Sequence, residues 1–322
     1  MKTITLGPSK LAEPALIQGL MRTDHLSTKE LAHLLDTDLE NGITFLDTSD
    51  IYSNGYCEEL LGKVFAERKD LRDKFALQTK CGIRRSSKGF SFYDFSKEHI
   101  LEAADASLRR LQTDHIDFYL LHRPDALFEP EEIAAAFDTL KESGKVRFFG
   151  VSNLNTMQMK LLRKHLNQPI EVNQLQFSVT HTVMMDSAIC TNRSETQSFD
   201  HDIGILDYCR LHNCTIQAWS PFRATKSEVT GTLIEGKVPS RPFIGSEEFP
   251  SINAALNHYA KEYGVSPAAI VIAWILRHPA NMQIVLGSSK PERIIDACTG
   301  VGIDLPREAW YELYIAAGNI VP

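Results

Sequence analysis

The chain has 322 residues, 43% of them hydrophobic and 23% charged, a balance that sustains a sizeable core and excludes the disordered and fibrous classes. A formal net charge of −7 gives nucleic acid and anionic membrane no general electrostatic attraction, so neither is expected as a partner. The six cysteines are scattered without a CxxC pair, and the longest strongly apolar run, Ala268 to Leu276, is too short to span a bilayer, so the expectation is a soluble, cytoplasmic protein with reduced thiols and no metal.

Short runs rich in β-formers alternate with longer amphipathic stretches. In chain order the runs are Ala15–Leu20, Ile43–Thr48, Phe75–Lys80, Asp117–His122, Val146–Val151, Val172–Phe177, Thr215–Ala218 and Gln283–Leu286. Several are apolar on both faces, as expected of parallel strands covered on both sides. Between them, Ser27 to Glu30 spells a capping box ahead of a helix. Ser96 opens HILEAADASLRRL, whose apolar residues recur at three and four. Pro130 with Glu131 and Glu132 opens another helix, and Gly42 and Gly144 stand where helices end. Two polar segments break the rhythm, Thr180–Asp202 and Arg223–Phe249, and are read as long loops after strands.

Alternation on this scale has two solutions, a closed (β/α)₈ TIM barrel or an open doubly wound sheet. The first strand–helix junction lacks GxGxxG, which the open sheet would usually place there. Eight units favour the barrel, as a single α/β domain over residues 1–322.

A barrel of this kind keeps its chemistry at the C-terminal ends of its strands. The second strand delivers Asp47 there, with Tyr52 just after; the third delivers Lys80 and the fourth His122. Singly, each has an ordinary reading: a turn carboxylate, a core aromatic, a solvated amine, a satisfied core imidazole. Together at one rim they make a general acid. A tyrosine hydroxyl, with a pKa of about 10, is a poor acid at neutral pH. A neighbouring ammonium lowers that value, an aspartate keeps the ammonium charged, and a histidine orients a carbonyl oxygen. No metal-ligand cluster or activated nucleophile is evident. The hydride that carbonyl reduction requires must come from a nicotinamide.

The later strands offer a cradle for one. Ser152, Asn153 and Gln174 suit a carboxamide, and Trp219 suits a flat ring. Ser220, with the backbone through Phe222, suits a pyrophosphate. Ser288, Lys290 and Arg293 lie in a Gly/Ser turn that runs into a helix, a pattern that suits a phosphate. Met184 and Met185 join Phe222 as candidates for an apolar substrate wall.

These segments, LDTSDIYSNGYCEELLG (46–62), QTKCGI (78–83), DFYLLHRPD (117–125), GKVRFFGVSN (144–153), VNQLQ (172–176), AWSPF (218–222) and GSSKPERI (287–294), resemble the aldo-keto reductases in the order and spacing of that family. The resemblance is strongest to a bacterial branch of predicted oxidoreductases. It implies a (β/α)₈ barrel that reduces a small-molecule aldehyde or ketone with NADPH. By position it assigns Asp47, Tyr52, Lys80 and His122 to catalysis. It assigns Ser152, Asn153, Gln174, Trp219, Ser220, Phe222, Ser288, Lys290 and Arg293 to the cofactor. Gly287 stands where many members carry Lys, and Ala297 where they often carry Asn. The competing expectation is a cofactor-binding sensor or regulatory subunit on the same fold. The sequence specifies neither the physiological carbonyl nor the oligomeric state.

Overall fold

The computed structural model describes residues 1–194, 196–200, 202–224 and 241–322. Its centre is a closed barrel of eight parallel strands. They are β1 (Leu16–Gly19), β2 (Phe45–Asp47), β3 (Ala76–Cys81), β4 (Ile116–Leu121), β5 (Val146–Ser152), β6 (Ile170–Gln176), β7 (Thr215–Trp219) and β8 (Met282–Leu286). Each pairs with the next, and β8 closes on β1. The helices that follow them are α1 (Thr28–Glu40), α2 (Tyr56–Glu67), α3 (Lys97–Leu111), α4 (Pro130–Glu142), α5 (Thr156–His165), α6 (Ile205–Leu211), α7 (Pro267–Leu276) and α8 (Pro291–Thr299). All eight strands lie within two residues of the runs read from the sequence.

Local chemistry explains the boundaries. At α1, Ser27 Oγ accepts from Glu30 N and the Glu30 carboxylate accepts from Ser27 N, so both halves of the capping box form. Ser96 caps α3 by accepting from His99 N, and Pro130 sits in the first turn of α4, where a missing N–H leaves nothing unpaired. Gly19 lines the rim between β1 and β8, where a Cβ would lie 2.6 Å from the Leu286 carbonyl oxygen. Only glycine allows that approach.

Several elements go beyond the sequence reading. A hairpin of Thr3–Leu6 and Leu11–Pro14 plugs the N-terminal mouth of the barrel. It is tied to the starts of β6 and β7 by Ser9 on Glu171 and Gly7 N on Thr215 Oγ1, and Asn281, just before β8, donates to the Thr5 carbonyl. Above it Leu6, Ile17, Phe45, Phe118, Leu120 and Val172 fill the barrel floor. A second hairpin, Ile83–Arg85 with Ser91–Tyr93, follows β3. A helix at Pro250–Tyr263 precedes α7, and a last helix, Arg307–Ala316, docks through two tryptophans. Trp274 and Trp310 stack at 4.8 Å, and each indole N–H donates to the other residue's carbonyl at 3.0 Å.

The segment Thr180–Asp202 is not bare loop. It contains the helix Val183–Ile189, held to the C-terminal helix by Tyr314 donating to Asp186 at 2.8 Å. In the segment Arg223–Phe249, Arg223–Ala224 pairs with Arg241–Pro242, and residues 225–240 lie outside the described ones. No disulfide joins the six cysteines, and among the described residues no helix is long and apolar enough to cross a membrane.

One buried group is under strain. Asp38, on α1, is fully buried, and neither carboxyl oxygen has a hydrogen-bond partner. Burial pushes its pKa well above the ordinary carboxylate value. The unfolded chain releases this proton near pH 4, whereas the folded chain keeps it to a higher pH. Folding therefore takes up a proton, and stability falls as pH rises from about 4 towards the folded value. Asp38→Leu is expected to stabilise the protein by about 2 kcal/mol near pH 8 and by less near pH 5. Urea unfolding at the two pH values measures this; equal effects at both would show that Asp38 is not the titrating group.

Candidate active site

The backbone beyond β2 keeps pairing with β3: Thr48 N donates to Gln78 O at 2.9 Å and Asp50 N to Lys80 O at 3.2 Å. The chain then turns through Ser53 and Asn54, both left-handed, with φ of 47° and 57°. This turn, Tyr52–Gly55, brings Tyr52 back over the rim. Its ring meets His122 edge-on, with centroids 5.8 Å apart.

Lys80 lies beneath them, fully buried. An ammonium carries three donors, and here each has an acceptor. Nζ is 2.7 Å from Asp47 Oδ1, 2.8 Å from the Thr48 carbonyl and 3.2 Å from the Tyr52 hydroxyl. The phenolic oxygen thus accepts from Lys80, which leaves its own proton for a partner in the cleft.

Asp47 is the start of a longer chain. Its Oδ1 also accepts from Gln78 Nε2 at 2.5 Å and Gln174 Nε2 at 3.0 Å. Both amides donate their second hydrogen to Gln217 Oε1, at 2.9 and 3.2 Å. Gln217 Nε2 donates to Gln283 Oε1 at 3.0 Å, and Gln283 Nε2 to the Pro14 carbonyl of the N-terminal hairpin at 2.7 Å. A line of buried amides therefore runs down the barrel from Asp47 to the plug.

Tyr52, Asp47 and His122 open onto a cleft of about 580 Å³. Of the residues read as cofactor contacts, Ser152, Asn153, Gln174, Trp219, Ser220, Phe222, Ser288 and Arg293 all line it. Lys290 does not; it is exposed at the N-cap of α8, on the solvent side of the wall. Among the described residues neither Lys290 nor Arg293 has an acidic partner. Asn153 and Ser220 have φ of 62° and 57°. Asn153 Nδ2 donates to Ser152 Oγ at 2.7 Å, Ser152 Oγ donates to the Gln174 carbonyl at 2.9 Å, and Trp219 Nε1 donates to Asn153 Oδ1 at 3.2 Å. Met185 is buried away from the cleft, and Met184 faces a smaller cavity behind Trp219.

The electrostatics differ from the sequence expectation at one point. Burial pushes the Tyr52 phenol above its ordinary value; Lys80 pulls it down as anticipated, and Asp47 pushes it up again. Burial wins, so the phenol holds its proton at neutral pH. For Lys80, burial lowers the pKa but Asp47 and then Tyr52 outweigh it, and the ammonium stays charged. Burial, followed by the charges of Lys80 and Arg123, holds His122 well below the usual imidazole value, so the ring is neutral.

Sequence reasoning missed Gln78, Gln217 and Gln283 as supports, although the signal exists: each is the one amide of its strand, next to an apolar neighbour. It also missed Arg22 and Arg123 in loops and Arg223 at the start of a two-residue strand, which line the cleft where an arginine carries no pattern.

The profile of the aldo/keto reductase family matches residues 15–313. Across 98% of both chains the protein is 34% identical to a 6-dehydroglucose reductase of Agrobacterium fabrum. It is 33% identical to the uncharacterized oxidoreductase YcsN of Bacillus subtilis, over 94% of this chain and 93% of the relative. An aldo/keto reductase of Klebsiella pneumoniae, crystallised with NADP and acetate, superposes with a TM-score of 0.71 at 24% identity, over 97% of this chain and 94% of that one. The family match and these relatives make the protein an enzyme of the oxidoreductase class. The chain belongs to the aldo/keto reductase family.

The buried ion pair makes a stability prediction. Asp47→Asn strands a buried ammonium and is expected to cost about 3 kcal/mol. Adding Lys80→Met removes the stranded charge and is expected to restore a good part of the loss in urea unfolding. A double variant no more stable than Asp47→Asn would mean that the pair is not what holds the rim.

Proposed function

We propose that the protein is a cytoplasmic, single-domain reductase that uses NADPH to convert the carbonyl of an aldehyde or ketone to an alcohol, with Tyr52 as the proton donor. The observation that carries this reading is the arrangement of the Lys80 ammonium. Its third donor falls on the phenolic oxygen, so the Tyr52 proton points to a ligand and the phenolate left after transfer keeps a cation at 3.2 Å. The phenol enters the reaction protonated because burial holds it so. Asp47 keeps the ammonium charged. His122 is neutral, and with Nδ1 engaged by Ser49 it offers Nε2 to the carbonyl oxygen. A sensor subunit would not need all four groups.

The nicotinamide, when bound, supplies the hydride. The cleft residues fit it. Gln174 has committed Nε2 to Asp47 and Gln217, which leaves Oε1 to accept from a carboxamide. Trp219 offers its ring, and Ser220 with the backbone through Phe222 faces the place for a pyrophosphate. Arg293, in the first turn of α8 and without an acidic partner among the described residues, is suited to the 2′-phosphate with Ser288, and Lys290 adds charge from the solvent side. The NADP in the Klebsiella relative supports this choice of cofactor. Since the Agrobacterium relative is a 6-dehydroglucose reductase, 6-dehydroglucose is the first carbonyl to try.

Tyr52→Phe is expected to lower kcat by about 10²–10⁴ while NADPH affinity, followed by fluorescence, stays within about twofold. Retention of most activity would remove Tyr52 from the acid role. Arg293→Ala is expected to weaken NADPH about tenfold and to leave NADH nearly unchanged. An equal loss for both cofactors would move the 2′-phosphate elsewhere.

A further inference from the structure

Behind His122 the hydrogen bonds continue away from the cleft. His122 Nδ1 lies 3.0 Å from Ser49 Oγ, and Ser49 Oγ lies 3.1 Å from Asp50 Oδ1. Ser49 is fully buried and Asp50 half-buried. The backbone fixes both, since Asp50 N donates to Lys80 O and Ile51 N to Ser49 Oγ. A serine hydroxyl has one proton. It can serve the imidazole or the carboxyl, but not both at once.

Resting on the reductase reading above, we propose that Ser49 and Asp50 are positioning residues that select which nitrogen of His122 carries its proton. With the Asp50 carboxyl protonated, its O–H donates to Ser49 Oγ, Ser49 donates to Nδ1, and the imidazole proton stands on Nε2. Nε2–H then donates to a carbonyl oxygen, as reduction requires. With Asp50 ionised, Ser49 turns its proton to the carboxylate and accepts from Nδ1–H. Nε2 is then a bare acceptor and no longer donates to a carbonyl oxygen. One proton leaves to solvent between the two states, and the imidazole is neutral in both.

The surroundings favour such a switch. Burial, and then the negative charge of Glu58, push Asp50 up to about 7, against the opposing pulls of Ser49, Arg110 and the Ile51 N–H. Glu58 on α2 is held by Arg110 on α3 at 2.7 Å. The other titratable groups near this carboxyl are Lys80 and Cys81 at the end of β3, Tyr119 on β4 and His122 itself. Since His122 stays neutral, its tautomer is the variable left to control.

The test is ¹⁵N NMR of the whole protein labelled at histidine, from about pH 5.5 to about pH 8.5, together with the pH profile of kcat. In the wild type the Nε2 signal of His122 is expected to pass from protonated to bare with a midpoint near 7. Carbonyl reduction should fall above that midpoint by up to about tenfold per pH unit. Asp50→Asn, whose amide donates to Ser49 at every pH, should abolish both the limb and the change of tautomer. Ser49→Ala should abolish them and lower kcat, with KM for NADPH unchanged. A wild-type tautomer that is constant over this range overturns the proposal, even if the enzyme reduces carbonyls. An Asp50→Asn variant that keeps the limb overturns it too. A tautomer that follows pH in a protein that turns over no carbonyl leaves the selection standing and removes the reductase reading.

Discussion

The contact between Lys80 and Asp47 is the constraint on which the site depends. A lysine with no exposed surface cannot keep its charge unless every donor is met. Here the three acceptors come from Asp47, Thr48 and Tyr52, in one short stretch that begins at the last residue of β2. Satisfying the ammonium therefore fixes the end of β2, the turn beyond it and the orientation of the phenol in one step. The left-handed Ser53 and Asn54 are the backbone strain this requires, and it falls directly after Tyr52.

Asp47 must itself be held, and the barrel interior supplies the means. The floor is apolar, closed by Leu6, Phe45 and Phe118 over the hairpin plug. Beside it runs the line of amides, from Gln283 at the plug through Gln217 to Gln78 and Gln174, and at its rim end lie the ion pair and the phenol. An apolar layer in place of the amides would leave one carboxylate oxygen facing the ammonium alone. With them, its lone pairs are directed by neutral donors that move no charge. Gln174 belongs to both systems, since one end holds Asp47 and the other faces the cofactor cleft.

Much of this was legible in the sequence, because period and position carry it. Eight apolar runs at regular spacing announced the barrel, and reading only strand ends placed Asp47, Lys80 and His122 on one rim. The amide line was not legible for a geometric reason. Gln78 and Gln217 are 139 residues apart, and only closure of the barrel brings them within 2.9 Å. No local pattern encodes a neighbour across the axis. The N-terminal hairpin was within reach, since TITL and LAEP flank a Gly-Pro turn, but its contacts lie at the mouth away from the chemistry. The rise in the Tyr52 pKa could not be read either. Residue types gave the sign of the Lys80 effect, while burial, which outweighs it, is a property of the folded surroundings.

That balance bears on how the proposed reaction divides its work. Lys80 places the cation one layer below the reacting oxygen, touching the phenol and not the cleft wall. A second cation at His122 would be repelled by it and by Arg123, and the imidazole is neutral accordingly. In the proposed reaction the carbonyl oxygen meets two neutral donors, the phenol and an imidazole N–H. Proton transfer from Tyr52 would relieve the negative charge that develops on it and move that charge onto the phenolate, beside the Lys80 ammonium. A neutral imidazole can donate from only one nitrogen at a time. On the proposed reading the direction of the Ser49–Asp50 hydrogen bonds becomes part of the acid–base chemistry of the rim, even though neither residue needs to touch the substrate.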